Sequence, residues 1–285
     1  MSSIVKILNT SDGVELYCEH YGNPQHPSVI LSHGGGQTRH SWGQTAKILA
    51  DNGWHAISYD HRGHGDSGWS EDKVYNFDRF ASDMQTVAQT CQHPPAVVGA
   101  SLGGISAMVC AGEINPQLFS SITLVDVTPS LNREGVKHIF EFMNLKIHDG
   151  FADLDEAADV IAQFTGRPRK KDVSGLSKNL RLRDGRYYWH WDPNFFSLHS
   201  DGPTIPDRFP KAAKRITVPT LLVRGRMSDV VTQVQVDEFF ELVPHAEYVD
   251  VEHARHMVAG DRNDIFTESV LDFLNRQHVL LTTAQ

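Results

Sequence analysis

Cysteine is scarce in this chain. Cys18, Cys91 and Cys110 are the only three among 285 residues. Their spacing fits neither a disulfide framework nor a metal or redox motif, so they are expected to act as small buried or half-buried hydrophobes. Long apolar runs are also missing: no stretch approaches the roughly eighteen uninterrupted apolar residues of a membrane-spanning helix. The opening Met1-Ser2-Ser3-Ile4-Val5-Lys6 lacks the basic region and apolar core of a secretory signal. These absences lead to the expectation of a soluble, cytoplasmic protein. Basic charge is in deficit, with 26 Lys plus Arg against 35 Asp plus Glu and a net charge of −9. That balance argues against a nucleic-acid or anionic-membrane surface and for a small-molecule partner; a homodimer is left open. Repeats and low-complexity tracts are absent, and 40% apolar content over this length is enough for one large core.

What is present is an alternation of strand and helix signals. Ser3 to Leu8 and Val14 to Tyr21 read as two strands joined by the turn residues Asn9 to Gly13, forming an antiparallel sheet edge. Ser28 to Ser32 is a continuous apolar run of the kind buried on both faces. Trp54 to Tyr59 is the next strand, Phe77 to Gln92 a helix, Ala96 to Val98 a strand, and Leu102 to Ala111 a helix closed by Gly112. Ser121 to Val127 is a further strand. The alternation then stops and resumes near Thr217, so residues 130–215 form an insertion longer than an ordinary crossover. Inside it Val136, Ile139, Phe140 and Met143 fall at helical spacing. So do Leu154, Ala157, Ile161 and Phe164, behind an Asp153-x-x-Glu156 capping box and ahead of Gly166. Arg167 to Lys171 is a solvated basic turn, and Asp184-Gly185 suits a small hairpin. Pro219 to Arg224 and Glu247 to Val251 are the last strands, with helices from Thr232 to Leu242 and Asp264 to Arg276.

Chemistry concentrates at the strand ends. Gly99-Ala100-Ser101-Leu102-Gly103 follows a strand and opens a helix, the context in which a strained serine exposes its hydroxyl while two glycines let strand and helix approach. His33-Gly34-Gly35-Gly36-Gln37 ends an earlier strand, and its bare backbone leaves N–H groups free to bind an oxyanion. It carries neither a Walker ending nor a dinucleotide fingerprint. Asp60 and Arg62 suit structural bonds to backbone groups of neighbouring loops. His33, His61 and His64 cluster in sequence, but no carboxylate completes a zinc-type spacing, and 16 histidines make chance clustering ordinary. Asp229 follows the strand from Pro219, and His256 follows the last one, at the C-terminal ends where parallel sheets place ligands. Asp126, at an earlier strand end, competes as the acid; His253 competes as the base.

In their order, His33-Gly34-Gly35, the Asp60-x-Arg62-Gly63-x-Gly65-x-Ser67 segment, Gly99-x-Ser101-x-Gly103, Gly225 to Asp229 and Ala254 to Met257 resemble the α/β-hydrolase superfamily, from about Val14 to the last helix outside the insertion. The resemblance implies a mostly parallel eight-stranded sheet flanked by helices, with a core of residues 1–129 and 216–285. Residues 130–215 would form a mainly helical cap. It further implies a nucleophile, acid and base in the order Ser101, Asp229, His256, Asp229 matching the commoner acid position. The oxyanion hole would then come from the N–H groups of Gly35 and Leu102. Gly34, Phe140, Trp189, Trp191 and Met257 are the expected substrate-binding residues, and neither metal nor organic cofactor is needed. Arg255 departs from the family, standing where many relatives carry glycine.

The serine branch resembles capped esterases, lactonases and cofactor-free haloperoxidase- or perhydrolase-like enzymes. The leading expectation is hydrolysis of a small to medium carboxylic ester or lactone through an acyl-enzyme on Ser101. Carbon–carbon bond hydrolysis of a diketone or meta-cleavage product and perhydrolysis are the alternatives. Epoxide hydrolase and dehalogenase chemistry is disfavoured, because the elbow nucleophile there is a carboxylate. A small-ligand receptor that keeps the fold is the non-enzymatic alternative.

Overall fold

The computed structural model describes residues 3–166, 168–169, 171–196 and 205–283. One eight-stranded sheet dominates it. In chain order the strands are β1 (Ile4–Asn9), β2 (Glu15–Tyr21), β3 (Ser28–Ser32), β4 (His55–Tyr59), β5 (Ala96–Ala100), β6 (Ser121–Val125), β9 (Thr220–Gly225) and β10 (Glu247–Val251). A separate two-stranded hairpin, β7 (Leu180–Arg183) and β8 (Arg186–Trp189), lies between β6 and β9 in sequence. The order across the sheet is β1-β2-β4-β3-β5-β6-β9-β10. β1 to β2 and β2 to β4 pair antiparallel; every other pairing in the sheet is parallel.

Burial follows position in the sheet. β4, β6 and β9 are buried at every residue, as expected of parallel strands covered by helices on both faces. β1 is the exposed edge, paired on one side only. Helices α1 (Gly43–Asp51), α2 (Phe77–Ala88), α3 (Leu102–Val109), α7 (Gln233–Leu242), α8 (Val258–Asp261) and α9 (Asn263–Thr283) surround the sheet. One core layer joins Met84, Met108, Ile122, Leu222 and Phe239; the layer on the other face joins Leu31, Trp42, Val98, Phe266 and Phe273. Among the described residues no helix is long and apolar enough to cross a membrane.

Helix starts follow local chemistry. Asn76 accepts the Arg79 N–H ahead of α2, and Thr232 and Gln235 form a capping box at α7. The expected end of the elbow helix differs. α3 stops at Val109 and residues Cys110–Ile114 make a wide π-type turn, so Gly112 is not its cap. Gly112 is instead where α6 (Ile205–Ala213) crosses: a Cβ there would lie 2.2 Å from the Ala212 carbonyl oxygen.

The segment between β6 and β9 holds α4 (Arg133–Met143), α5 (Leu154–Thr165), the hairpin and α6. Asp153 caps α5 by accepting the Glu156 N–H, and Gly166 closes it in the left-handed conformation. Asp184 and Gly185 turn the hairpin with φ of 47° and 77°, the sense that two-residue hairpins require. Phe209 and Ala213 of α6 bury in the main core, whereas Met143, Ile147, Phe151, Trp189 and Trp191 join Tyr75, Phe80 and Leu102 in a separate cluster. Within the basic turn, Arg167 and Lys170 lie outside the described residues; Arg169 pairs with Asp155 and Asp159.

Candidate active site

Ser101 sits at the turn from β5 to α3 with φ 45° and ψ −111°, a backbone conformation that costs energy for any L-residue and collects at functional sites. The surrounding packing imposes it. A Cβ at Gly99 would lie 2.6 Å from the Gly103 backbone, and one at Gly103 would lie 2.4 Å from the Ser32 carbonyl oxygen. Strand and helix therefore meet backbone to backbone, and Ser101 projects from the bend. The glycine loop lies beside it: a Cβ at Gly34 would come within 3.3 Å of the Ser101 Cβ. Among the described residues neither the Gly35 N–H nor the Leu102 N–H has a hydrogen-bond partner. Two donors next to the serine are thus available to a ligand.

His256 is half-buried in the loop after β10. Its Nδ1 hydrogen-bonds Oδ2 of Asp126 at 2.7 Å. Asp126, not Asp229, is the carboxylate that reaches it. β6 ends at Val125, two residues earlier than expected, because Asp126 adopts φ 48° and turns its side chain along the strand ends. Its carboxylate is fully buried and also accepts the Gly225 N–H at 3.0 Å and the Ser228 hydroxyl at 2.5 Å. The turn closed by the Ser228 N–H on the Gly225 carbonyl brings Ser228 inward and leaves Asp229, the next residue, exposed. One residue of turn phase moves the β9 carboxylate off the site. With Nδ1–H donated to Asp126, the His256 Nε2 carries the free lone pair. His253 is exposed with φ 61°, and Arg255 is exposed as well.

A cavity of about 160 Å³ lies against His256, lined among others by Gln37, Ala100, Val125 and Met257. Gln37 accepts the Gly34 N–H at 3.3 Å and donates to the Met257 sulfur, tying the glycine loop to the histidine loop. Met257 is therefore at the site, and Gly34 packs on Ser101. Trp189 and Trp191 are not presented in the same way. Their rings stack at 4.6 Å, both are buried, and the Trp189 indole N–H is spent on the Leu145 carbonyl. These two pack in the cluster that joins the inserted segment to Tyr75, Phe80 and Leu102. Phe140 is half-buried, with its ring 5.9 Å from Phe196. Two apolar side chains of the inserted segment reach the glycine loop: Phe195, 3.4 Å from a Cβ placed on Gly35, and Met143, 3.2 Å from one on Gly36. Met143 belongs to a helical apolar stripe and Phe195 to an aromatic-rich stretch, and spacing alone does not divide either into core and roof.

Four histidines support the loop from beneath. His33, His61, His64 and His190 are all buried, and the His33 and His61 rings meet edge to face at 4.6 Å. His33 Nε2 accepts the His61 N–H, and its Nδ1–H faces the Gly34 carbonyl at 2.8 Å. His64 Nε2 accepts the Gly36 N–H at 3.1 Å while Nδ1–H donates to the Arg62 carbonyl. Burial holds the pKa of His33 down to about 4 and that of His64 to about 3, and depresses His61 and His190 strongly. All four are neutral, each in the tautomer that its backbone partners select.

The acidic and basic residues of the following turn are structural, as expected. Asp60 accepts the Arg39 N–H and guanidinium and the Asp66 N–H. Arg62 bonds carboxylates rather than backbone: it forks onto Asp83 and reaches Asp12. Its guanidinium, though buried, is held more strongly protonated by those two partners. The Cys18 and Cys110 thiols are buried and Cys91 is half-buried.

Comparison with known proteins bears on the fold and the family. The chain is 28% identical over 265 residues to the esterase Rv0045c of Mycobacterium tuberculosis, covering 87% of this chain and 83% of the relative. It is 26% identical to the sn-1-specific diacylglycerol lipase ABHD11 of Mus musculus, covering 89% and 82%. The crystal structure of E-2-(acetamidomethylene)succinate hydrolase superposes with a TM-score of 0.83 at 21% identity, covering 96% of this chain and all of that one. The two sequence relatives are hydrolases by name, and hydrolysis is the class of chemistry they support; the superposed structure supports the fold. Residues 27–262 match the family described as alpha/beta hydrolase fold, and the chain belongs to that family.

Proposed function

We propose that the protein is a serine hydrolase that cleaves a small to medium carboxylic ester or lactone through an acyl-enzyme on Ser101. The observation that carries this reading is the Asp126–His256 hydrogen bond at 2.7 Å, which fixes the imidazole with Nε2 free. A serine hydroxyl is a weak nucleophile at neutral pH, so a base must take its proton as it attacks. His256 Nε2 takes that role and then returns the proton to the leaving alcohol. Asp126 holds the ring in the required tautomer and stabilises its charged form, itself oriented by Gly225 and Ser228.

The tetrahedral intermediate places its oxyanion between the N–H groups of Gly35 and Leu102, the two unpartnered donors beside Ser101. Such donors are most effective when fixed before the reaction begins. Water, activated by the same histidine, releases the acid from Ser101. The segment between β6 and α6 serves as the cap. Met143 and Phe195 roof the glycine loop with apolar surface, which favours a short apolar acyl group. The esterase and lipase names of the two sequence relatives support an ester substrate.

The test is turnover of p-nitrophenyl esters of increasing acyl length, and of acyl lactones, by wild type and Ser101→Ala. Turnover that is blocked by a fluorophosphonate and lost in the variant supports the proposal. Turnover that persists in Ser101→Ala contradicts it.

A further inference from the structure

Gly36 is held at both of its backbone polar groups by imidazoles from two different parts of the chain. Its N–H donates to His64 Nε2 at 3.1 Å, from the loop after β4. Its carbonyl faces His190 Nε2 at 3.3 Å, from the end of the β8 hairpin in the inserted segment. His190 Nδ1 accepts the Gly65 N–H at 2.8 Å, so Nε2 carries the proton and donates to Gly36. His64 and His190 are themselves in contact, with ring centroids 5.9 Å apart, and both are buried. The residue whose N–H is free beside Ser101, Gly35, immediately precedes this clamped unit. A run of three glycines has no side chains of its own to fix its course. Its course is set by its hydrogen bonds: Gln37 and His33 hold Gly34, and at Gly36 the two histidines hold both polar groups.

We propose that His190 is a positioning residue for the oxyanion hole: through Gly36 it aims the Gly35 N–H, so that seating of the inserted segment and assembly of the hole are one event. This rests on the serine hydrolase reading above. The neighbouring contacts act in the same direction. The Asp192 N–H donates to the Gly63 carbonyl at 2.8 Å, and the Tyr75 hydroxyl donates to Asp192 at 2.6 Å. Both place the residues after β8 directly on the loop that carries His64. The charged and titratable groups around His190 are His64, His33 and Arg181; each favours its neutral form, as does burial. A neutral His190 can donate to Gly36 and accept from Gly65 at once; a protonated one cannot.

The test compares His190→Phe, which keeps an aromatic ring without either hydrogen bond, with His190→Gln, whose amide N–H reaches toward Gly36. The readouts are kcat, KM and affinity for an alkyl boronic acid, which forms a tetrahedral adduct on the serine. The Phe variant should lose about 10- to 100-fold in kcat with KM within about 3-fold, since misplaced groups are felt in the transition state. Boronate affinity should fall in parallel, and Gln should recover most of both. If the Phe variant does not fold, His190→Asn replaces it, retaining an acceptor for Gly65 but not the reach to Gly36. A full kcat in the Phe or Asn variant overturns the proposal, as does unchanged boronate affinity or a Gln variant as impaired as Phe. Ser101→Ala run alongside separates this from failure of the parent reading: activity surviving in Ser101→Ala removes the serine mechanism itself.

Discussion

The Nδ1 of His256 and Oδ2 of Asp126 lie 2.7 Å apart although 130 positions separate them in the chain. β6 and β10 are not neighbours in the sheet; β9 lies between them. The contact is made over the top of β9, whose end contributes the Gly225 N–H and the Ser228 hydroxyl to the same carboxylate. A carboxylate with these partners is rigid, and rigidity in the orienting group is what a general base needs.

The first prediction concerns which aspartate matters. Asp126→Asn should lower kcat by about 10³- to 10⁴-fold, the scale seen when the orienting carboxylate of a serine triad is neutralised. Asp229→Asn, a change at an exposed side chain, should stay within about 3-fold. Steady-state kinetics on one activated ester decides it; the opposite ranking would return the acid to the end of β9.

Acyl-length preference is the second. Met143 lies close to Gly36, as Phe195 does to Gly35, and shortening Met143 opens volume where an acyl chain would lie. Met143→Ala should shift the ratio of kcat/KM for a longer-chain ester over an acetate by about 10-fold or more, the selectivity that one or two methylenes carry in an apolar pocket. It should also cost about 2–5 kcal/mol of stability, because the side chain is buried. An unchanged ratio would place the acyl chain elsewhere.

Stability should depend on pH through the histidine cluster. Each of His33 and His64 is depressed from an ordinary 6.5, to about 4 and about 3 respectively, while an unfolded chain protonates both near the ordinary value. The unfolded state therefore binds more protons between roughly pH 6.5 and pH 3. The stabilisation from these neutral rings is fully present above pH 6.5 and is lost as pH falls toward 3. Asp83, raised by burial to about 6, works in the opposite direction as pH rises from about 4 to 6. It is outweighed by the four histidines of the cluster, with His20 and His55, also depressed by burial, acting in the same direction as they do. The melting temperature should decline steadily from pH 7 to pH 4.5, and a flat profile across that range would contradict the assignment.

How far the sequence reveals this site depends on what each residue needs. The strands are legible because a continuous apolar run such as Val29-Ile30-Leu31 has no stable place except between two layers of helix. The elbow is legible because Gly99, Ser101 and Gly103 are each demanded by local geometry, and the hairpin is legible from Asp184-Gly185 alone. The acid is not, because Ser228 and Asp229 are adjacent and only the phase of one turn decides which faces inward. Nor does spacing reveal why Gly112 is present: it reads as a helix cap until Ala212 of α6 is found against it. The roles of His190 and Phe195 depend on how the inserted segment lies over the glycine loop, a long-range packing outcome on which helical periodicity is silent. Trp189 and Trp191, the most conspicuous side chains of that segment, are buried and stacked on one another.

The central claim is that Ser101 is the nucleophile and is activated by the His256–Asp126 pair. The measurement that tests it most directly is the rate and site of labelling by a fluorophosphonate, read by mass spectrometry of the peptide containing Gly99 to Gly104. The account predicts stoichiometric modification of Ser101 in wild type, none in Ser101→Ala, labelling slowed by about 10³-fold or more in Asp126→Asn, and a normal rate in Asp229→Asn. Modification at another residue, or a normal labelling rate in Asp126→Asn, would contradict it.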